Sequence, residues 1–283
     1  MQDEDNDERL IQAVLASGVR IPPMPEILLG LNALLADPDA GPHELAGLIS
    51  RDGAISGAVF RLVASPVFGL RARVDTVEKA IALLGMRNAS AVVRSEALRG
   101  ALHDPVHARA LEAIWGRGGA VADLAVLALK TGHVRGIAHD AAFTLGMFHD
   151  CGLALLVKRM PAYAEALARA AAQPGAWPDV PALDRAHQTD HALFGQTVAK
   201  NWLLPGDIVQ AIRHHHVLSW ENLPDAVSRL CALLNFACHL HSRRAGQNDP
   251  EWESGWKAET ARRLFLSADD VEDWERAVDD LTA

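Results

Sequence analysis

An apolar stretch from Ala142 to Val157 predicts a helical segment in the core of the protein. Its first run ends in a histidine and an aspartate, His149 and Asp150, and Gly152 precedes the second run, which begins at Leu153. Taken alone, an adjacent histidine and aspartate is more often a helix end with a capping carboxylate than a functional site. The rest of the chain has to decide between these two interpretations.

The composition predicts an all-α fold. Apolar residues make up 49% of the 283 residues, yet only 5% are aromatic, and alanine and leucine supply most of the apolar content. These residues favour helices, whereas strands favour β-branched and aromatic residues. The sequence contains no convincing strand pair and no repeat of fixed period, and the chain is long enough to bury a substantial core.

The net charge of −9 argues against binding to nucleic acid, because a phosphate backbone requires a basic protein surface. Isolated basic spots are interpreted as solvated helix faces; they comprise Arg71, Arg73, Arg87, Arg94 and Arg99. The first residues are acidic, unlike a secretory signal, and no apolar run approaches about 18 residues, so no insertion into a membrane is expected. Three cysteines suit a reducing compartment, and the predicted location is the cytoplasm.

The pattern of prolines, glycines and apolar residues divides the chain into four parts. They are an acidic N-terminal tail with a short helix (1–19), a helical lobe (20–105), a second helical lobe (106–245) and a C-terminal helical tail (246–283). In the second lobe, the glycines at 116, 118 and 119 are expected to weaken a helix, and one helix is predicted from Leu183 to Leu203.

Seven short motifs, in order along residues 20 to 240, resemble the HDOD domain. They are Ile21-Pro22-Pro23-Met24-Pro25-Glu26, Ile49-Ser50-Arg51-Asp52, Phe68-Gly69, Val77-Glu78-Lys79-Ala80-Ile81-Ala82-Leu83-Leu84-Gly85, Phe148-His149-Asp150-Cys151-Gly152, Asp190-His191-Ala192-Leu193-Phe194-Gly195 and Ala211-Ile212-Arg213-His214-His215-His216. The resemblance implies a two-lobed helical fold whose C-terminal lobe is similar to HD phosphohydrolases. It also implies a bacterial signalling protein, since members of this family are generally regarded as regulatory proteins without demonstrated hydrolase activity.

The resemblance further implies that the metal site is degenerate. The HD pattern has a histidine shortly after a tryptophan, then the His-Asp pair, then an aspartate on a late helix. Here Arg117 follows Trp115 where the first histidine is expected, and Cys238 falls at the position of the late aspartate. A guanidinium cannot lose its proton and would repel a metal ion.

The remaining candidates for a vestigial site are His149, Asp150, His191, His215 and His216. Each is also compatible with a histidine or aspartate that only stabilises a helix, and consecutive residues such as His214, His215 and His216 cannot all face one site. His187 lies one turn before His191, without an obvious third ligand. No catalytic residue, metal or other cofactor is therefore expected, and a salt bridge from Arg117 to Asp150 is predicted to fill the former metal position.

The expected function is non-catalytic signal transduction through contact with another protein. Cyclic-dinucleotide turnover enzymes and chemotaxis or motility components are the partner classes that the resemblance suggests. Two alternatives stay open: a metal-dependent phosphohydrolase that acts through His149, Asp150 and the later histidines, and a nucleotide sensor without turnover. The sequence specifies neither the partner, nor the interacting surface, nor the oligomeric state.

Overall fold

The computed structural model of the protein describes residues 12, 18, 20–65, 74–130, 134–173, 177–247, 249 and 251–280. Within these ranges every regular element is helical and no strand occurs, which confirms the predicted all-α class. The motif Phe68-Gly69 and the basic residues Arg71 and Arg73 lie outside the described residues, as does most of segment 1–19.

The N-terminal lobe is built around one long helix. Asp52 and Thr76 begin two of its helices by accepting hydrogen bonds from backbone N–H groups of the first turn, as N-cap residues do. The first three helices pack against the fourth. These helices are α1 (Glu26–Ala36), α2 (Pro42–Ile49), α3 (Gly53–Ala64) and α4 (Val77–Ala101).

Helix α4 bends at Gly85, whose φ of 78° and ψ of 155° are not helical. A positive φ at this point favours glycine, which lacks a Cβ atom. The sequence predicts one helix that ends at Gly85 and another that begins at about Ala89; the structure confirms the break at Gly85, but the second helix resumes at once.

The second lobe surrounds α5 (Ala108–Lys130), which contacts α6, α8 and α12. A short turn at Pro105–His107 joins it to the first lobe. The other helices are α6 (His139–Phe148), α7 (Leu153–Val157), α8 (Pro161–Ala172), α9 (Val180–His187), α10 (His191–Asn201), α11 (Gly206–His214), α12 (Asp225–Arg244), α13 (Lys257–Leu264) and α14 (Ala268–Asp280).

The glycines of α5 do not interrupt it, contrary to the sequence expectation. A Cβ atom at Gly118 would lie 3.2 Å from the carbonyl oxygen of Met147, so this glycine allows α6 to pack closely against α5. The buried contact between the two helices outweighs the low helix propensity of glycine, about 1 kcal/mol per residue.

The single helix predicted from Leu183 to Leu203 was wrong, because the chain breaks at Gln188. This residue has a left-handed conformation with φ of 52°, and Asp190 then caps α10 by accepting from the N–H of Leu193. The Asp184 carboxylate accepts the N–H of His191 across the break. Side chains therefore satisfy the backbone donors that a continuous helix would have used.

The C-terminal tail packs on the second lobe. Trp274 of α14 is fully buried, donates from Nε1 to the carbonyl oxygen of Ala128 at 2.8 Å and stacks on Phe236 at 3.8 Å. Ser267 precedes this helix and accepts from the N–H of Asp270, whose carboxylate accepts from the N–H of Ser267 in return. Tail and lobe share one hydrophobic core.

The segment His139–Val157 is long and apolar enough to cross a membrane by length and hydropathy alone, in contrast to the expectation that no apolar run approaches this length. Within the protein, 89% of this window is buried. The segment comprises α6, the turn around His149 and α7, so its apolar character is accounted for by the core.

A cavity of about 210 Å³ lies between the lobes, and one carboxylate in it has no partner among the described residues. Asp123 of α5 makes no hydrogen bond or ion pair there, and burial raises its pKa to about 6. Charged residues of the first lobe line the same cavity, namely Arg61, Glu96 and Arg99.

We expect Asp123→Asn to stabilise the protein at neutral pH by about 2 kcal/mol. Between about pH 4 and pH 6 the folded protein holds a proton that the unfolded chain has lost, so the free energy of unfolding falls as the pH rises through this window and stays lower above it. Urea unfolding at pH 4 and pH 8 measures the effect, with the gain confined to the higher pH. The exposed Glu112 on the same helix provides a control, Glu112→Gln, for which a change within about 0.5 kcal/mol is expected. An equal gain at both pH values would contradict the prediction.

Candidate functional site

His149 and Asp150 occupy a tight turn between α6 and α7. The backbone N–H of His149 still bonds to the carbonyl oxygen of Leu145, so His149 closes α6 and Asp150 begins the turn. Both side chains are almost fully buried, with relative exposures of 1% and 4%. The pair is therefore in the interior of the lobe, where its charge has to be balanced by protein groups.

Arg117 of α5 contacts both members of this pair. Its Nη1 lies 2.7 Å from Nε2 of His149 and 3.2 Å from Oδ2 of Asp150, which confirms the predicted salt bridge. The Sγ of Cys238 is 3.9 Å from the same Nη1, and the guanidinium lies 4.8 Å from the ring of Trp177. The two residues that were predicted to replace metal ligands thus contact each other and the His-Asp pair.

The contact with Arg117 fixes the protonation of His149. Burial lowers the pKa of His149, because it disfavours the charged ring, while the neighbouring Asp150 carboxylate acts in the opposite direction. A guanidinium has no acceptor, however, so a ring nitrogen 2.7 Å away has to offer a lone pair. We therefore assign a neutral ring whose Nδ1–H donates to the carbonyl oxygen of Gly146 at 2.7 Å.

The second oxygen of Asp150 faces two other histidines. Oδ1 lies 3.5 Å from Nε2 of His191 and 3.7 Å from Nε2 of His215, and these two nitrogens are 3.3 Å apart. Burial alone would raise the pKa of Asp150, but hydrogen bonds with the imidazoles of His191 and His215 act against burial, and the pKa lies well below its ordinary value. The carboxylate is therefore ionised and shared by four basic side chains.

A buried carboxylate that the sequence analysis missed orients His191. Asp184 accepts from Nδ1 of His191 at 2.6 Å and from the hydroxyl of Tyr163 at 2.6 Å, and Thr189 completes the network. Burial lowers the pKa of His191, but Asp150 and Asp184 raise it to about 9. Asp184 becomes recognisable only once the helix break at Gln188 is known, because the turn brings it next to a histidine seven residues later.

The remaining histidines lie at different distances from the cluster. His215 is buried, its Nδ1 donates to the carbonyl oxygen of Ile212 at 2.6 Å, and burial together with neighbouring His216 lowers its pKa. The His216 ring lies 5.0 Å from the His191 ring, and its Nδ1 is 3.5 Å from Glu251. His187 is exposed beside Tyr163, outside the cluster.

A cavity of about 730 Å³ opens on the cluster. The C-terminal tail contributes Asp249 and Glu251 to its wall, and Arg185 and Asn235 face it from α9 and α12. Cys238 lines it as well, while packing against the core, whereas Cys231 is fully buried. No motif or spacing in the sequence indicates that residues of the tail reach this cavity.

The two sides of Asp150 differ in how well they fit a metal ion. On the Oδ2 side the guanidinium of Arg117 already binds His149 and the carboxylate, and a permanent cation there excludes a second one. On the Oδ1 side ligand atoms of Asp150, His191, His215 and His216 all lie within 4.8 Å of one another. The donors on this side are those that zinc and other divalent transition metals take.

Solved structures with the same architecture define the class of the protein. A candidate metal-dependent phosphohydrolase from Shewanella amazonensis SB2B is similar over 99% of this chain and 100% of its own, with a TM-score of 0.67 at 16% identity. An HDOD domain protein of unknown function from Geobacter sulfurreducens is similar over 97% of this chain and 98% of its own, with a TM-score of 0.65 at 20% identity. A candidate signal transduction protein from Marinobacter aquaeolei VT8 is similar over 98% of this chain and 64% of its own, with a TM-score of 0.67 at 17% identity. The fold is thus the two-lobed helical fold with an HD-phosphohydrolase-like lobe.

The model of the HDOD domain matches residues 21–218, about two thirds of the chain, and the protein belongs to the HDOD family. A relative from Treponema pallidum (strain Nichols), an uncharacterised protein, is 27% identical over 219 residues. That alignment covers 77% of this chain and 41% of the relative, so the chain spans about two fifths of the length of the curated relative it matches.

Proposed function

We propose that this HDOD protein is a non-catalytic component of signal transduction that acts by binding other proteins. The observation that carries the proposal is the position of Arg117, whose Nη1 lies 2.7 Å from Nε2 of His149 and 3.2 Å from Oδ2 of Asp150. Hydrolysis at an HD site requires a metal-bound water of lowered pKa between such ligands. Arginine uses the lone pairs that would hold one of the metals.

Protein contact is the activity that fits this arrangement. The expected partners are cyclic-dinucleotide turnover enzymes or components of chemotaxis and motility, and the support for these classes is the family resemblance alone. Co-purification of the tagged chain from its native cells, followed by measurement of the reconstituted pair by calorimetry, tests the proposal. We expect saturable binding with a fixed stoichiometry, and failure to recover any protein that binds the purified chain would contradict the proposal.

We expect the purified protein to show no hydrolysis of phosphodiesters beyond that of His149→Asn. The assay uses bis-p-nitrophenyl phosphate and cyclic dinucleotides with Mn²⁺, Fe²⁺ or Zn²⁺ added in turn. Both ring nitrogens of His149 are hydrogen-bonded, one to Arg117 and the other to the carbonyl oxygen of Gly146, so replacement of His149 should leave the background rate of hydrolysis unchanged. A metal-dependent rate that disappears in His149→Asn would contradict the proposal and favour the phosphohydrolase alternative.

A nucleotide sensor without turnover is the second candidate function, and the cavity favours it. Its volume of about 730 Å³ suits a small ligand, and its wall includes two arginines, Arg117 and Arg185, and the ring of Trp177. Arginine binds phosphate well. Calorimetry with cyclic dinucleotides at two temperatures tests this candidate: saturable binding that Arg185→Ala weakens would support it, and the absence of a binding heat at both temperatures would exclude it.

A further inference from the structure

The side chains around Asp150 form two separate groups rather than one four-ligand site. Oδ2 of Asp150 belongs to the group that contains Arg117 and His149, with contacts of 3.2 Å and 3.1 Å. Oδ1 belongs to the group that contains His191 and His215. The substitutions at positions 117 and 238 therefore alter the first group and leave the second one complete.

The three atoms of the second group have the spacing of ligands on one small metal ion. The edges of the triangle are 3.3 Å between the two Nε2 atoms, and 3.5 Å and 3.7 Å from Oδ1 of Asp150 to His191 and His215. The point equidistant from all three atoms lies about 2.0 Å from each, the usual length of Zn–N and Zn–O bonds in proteins.

In both imidazoles Nδ1 is used by another partner, so Nε2 is the nitrogen left to bind a metal ion. His191 donates from Nδ1 to Oδ2 of Asp184 at 2.6 Å, and His215 donates from Nδ1 to the carbonyl oxygen of Ile212 at 2.6 Å. In each ring Nε2 is therefore the nitrogen that faces the carboxylate. A carboxylate or carbonyl behind a ligating imidazole is the usual support of a metal-bound histidine.

We propose that Asp150, His191 and His215, with His216 as a fourth donor, bind one divalent transition metal ion per chain. Two or three imidazoles and one carboxylate are a donor set for zinc, iron or manganese rather than for magnesium or calcium. Asp150, His215 and His216 also line the 730 Å³ cavity, which supplies a path for the ion from solvent. The site is mononuclear because Arg117 replaces the second ion.

The inference is independent of the proposed function. A single ion beside a guanidinium would organise the α10 and α11 ends of the pocket without supplying the pair of metals that a dinuclear hydrolase uses. The protein can therefore bind one ion and remain inactive as a phosphodiesterase. Binding stoichiometry tests the inference, whereas the hydrolysis assay tests the proposed function.

Titration of the metal-stripped full chain with Co²⁺ and Zn²⁺ tests the site. We expect one equivalent of each ion by calorimetry, and visible ligand-field bands of four-coordinate Co²⁺ without the near-ultraviolet charge-transfer band of a thiolate ligand. A thiolate band would place the ion beside Cys238, in the group that contains Arg117. That band, two equivalents per chain, or no saturable binding would each overturn the inference.

Variants locate the ion within the cluster. We expect His215→Gln to weaken Zn²⁺ binding at least 100-fold, since removal of a supporting residue alone costs 10–100-fold. His187→Gln is the matched control, because His187 is exposed and lies one turn before His191; its affinity should equal that of the wild type. His149→Gln should keep one equivalent, and loss of binding in that variant would overturn the assignment. Far-ultraviolet circular dichroism shows whether each variant is folded. If a variant does not fold, the Co²⁺ spectrum of the wild type still tests whether the ion is bound without a thiolate ligand.

Discussion

Replacement of Gly152 by alanine is expected to lower the free energy of unfolding by more than about 4 kcal/mol, or to prevent folding altogether. A Cβ atom at this position would lie 1.9 Å from the carbonyl oxygen of His191 and 2.6 Å from the backbone nitrogen of Gly195. Both are backbone atoms of α10, so no side chain can move aside. Gly152 has φ of −62°, so the constraint is the close approach of the chains and not the backbone conformation.

This close approach is what assembles the site. Gly152 follows Asp150 by two residues, and the backbone it contacts carries His191, whose Nε2 faces Oδ1 of Asp150 at 3.5 Å. An added methyl group would push α10 away from the turn and separate these two side chains. We therefore expect any Gly152→Ala protein that still folds to bind a metal ion at this cluster less tightly than the wild type, in addition to being less stable.

Urea unfolding of Gly152→Ala against Gly116→Ala measures the effect. Gly116 is exposed in α5, and a Cβ atom there would have no neighbour within 4 Å, so its replacement should stabilise the helix by about 0.5–1 kcal/mol. Opposite signs for the same chemical change are the expected result. A free energy of unfolding of Gly152→Ala within about 1 kcal/mol of the wild-type value would contradict the prediction, because it would show that the turn and α10 can move apart at little energetic cost.

The sequence predicted the parts of the fold and site that depend on local patterns. The helical class followed from composition and spacing, and the His-Asp pair stood out as polar residues within an apolar run. Arg117 and Cys238 were identified through the family resemblance, and their adjacency to His149 is confirmed by contacts of 2.7 Å and 4.0 Å. Their position as replacements for metal ligands remains an interpretation.

The parts that the sequence did not predict depend on packing between distant segments. Gly118 lies in a continuous helix, and the absence of a side chain there allows α6 to pack closely against it. Nothing in residues 116 to 119 themselves indicates this contact. Asp184 supports His191 only because side chains break the helix at Gln188. Asp249 and Glu251 reach the cavity only because the tail packs on the second lobe. Trp274 helps to hold the tail there through its hydrogen bond to Ala128 of α5, more than a hundred residues away in the sequence.

The separation of Asp150 into two groups could not be predicted either. The sequence places the histidines in order but does not say which carboxylate oxygen each one faces. The expectation that no metal is bound treated His149, His191 and His215 as one degenerate site. It stays a prediction for the side of Asp150 that holds Arg117, while the distances on the other side support a single ion.

Replacement of Arg117 by methionine is expected to lower the free energy of unfolding by about 3 kcal/mol. The methionine side chain has a similar length but leaves Oδ2 of Asp150 and Nε2 of His149 without their shared donor inside the lobe. Removal of one partner of a buried ion pair costs about 3–5 kcal/mol, and the histidines around Asp150 place this site at the lower end of that range.

Two comparisons make the Arg117 prediction specific. Arg185→Met changes another arginine of the same cavity, but Arg185 is exposed, so a change within about 0.5 kcal/mol is expected. In a double-mutant cycle, Asp150→Asn should cost less in the Arg117→Met background than in the wild type, with a coupling of about 1–2 kcal/mol between the two residues. Urea unfolding at constant pH gives all four values. Additive losses would mean that the guanidinium does not stabilise the carboxylate, and the view of Arg117 as a fixed cation in place of a metal would then have to be abandoned.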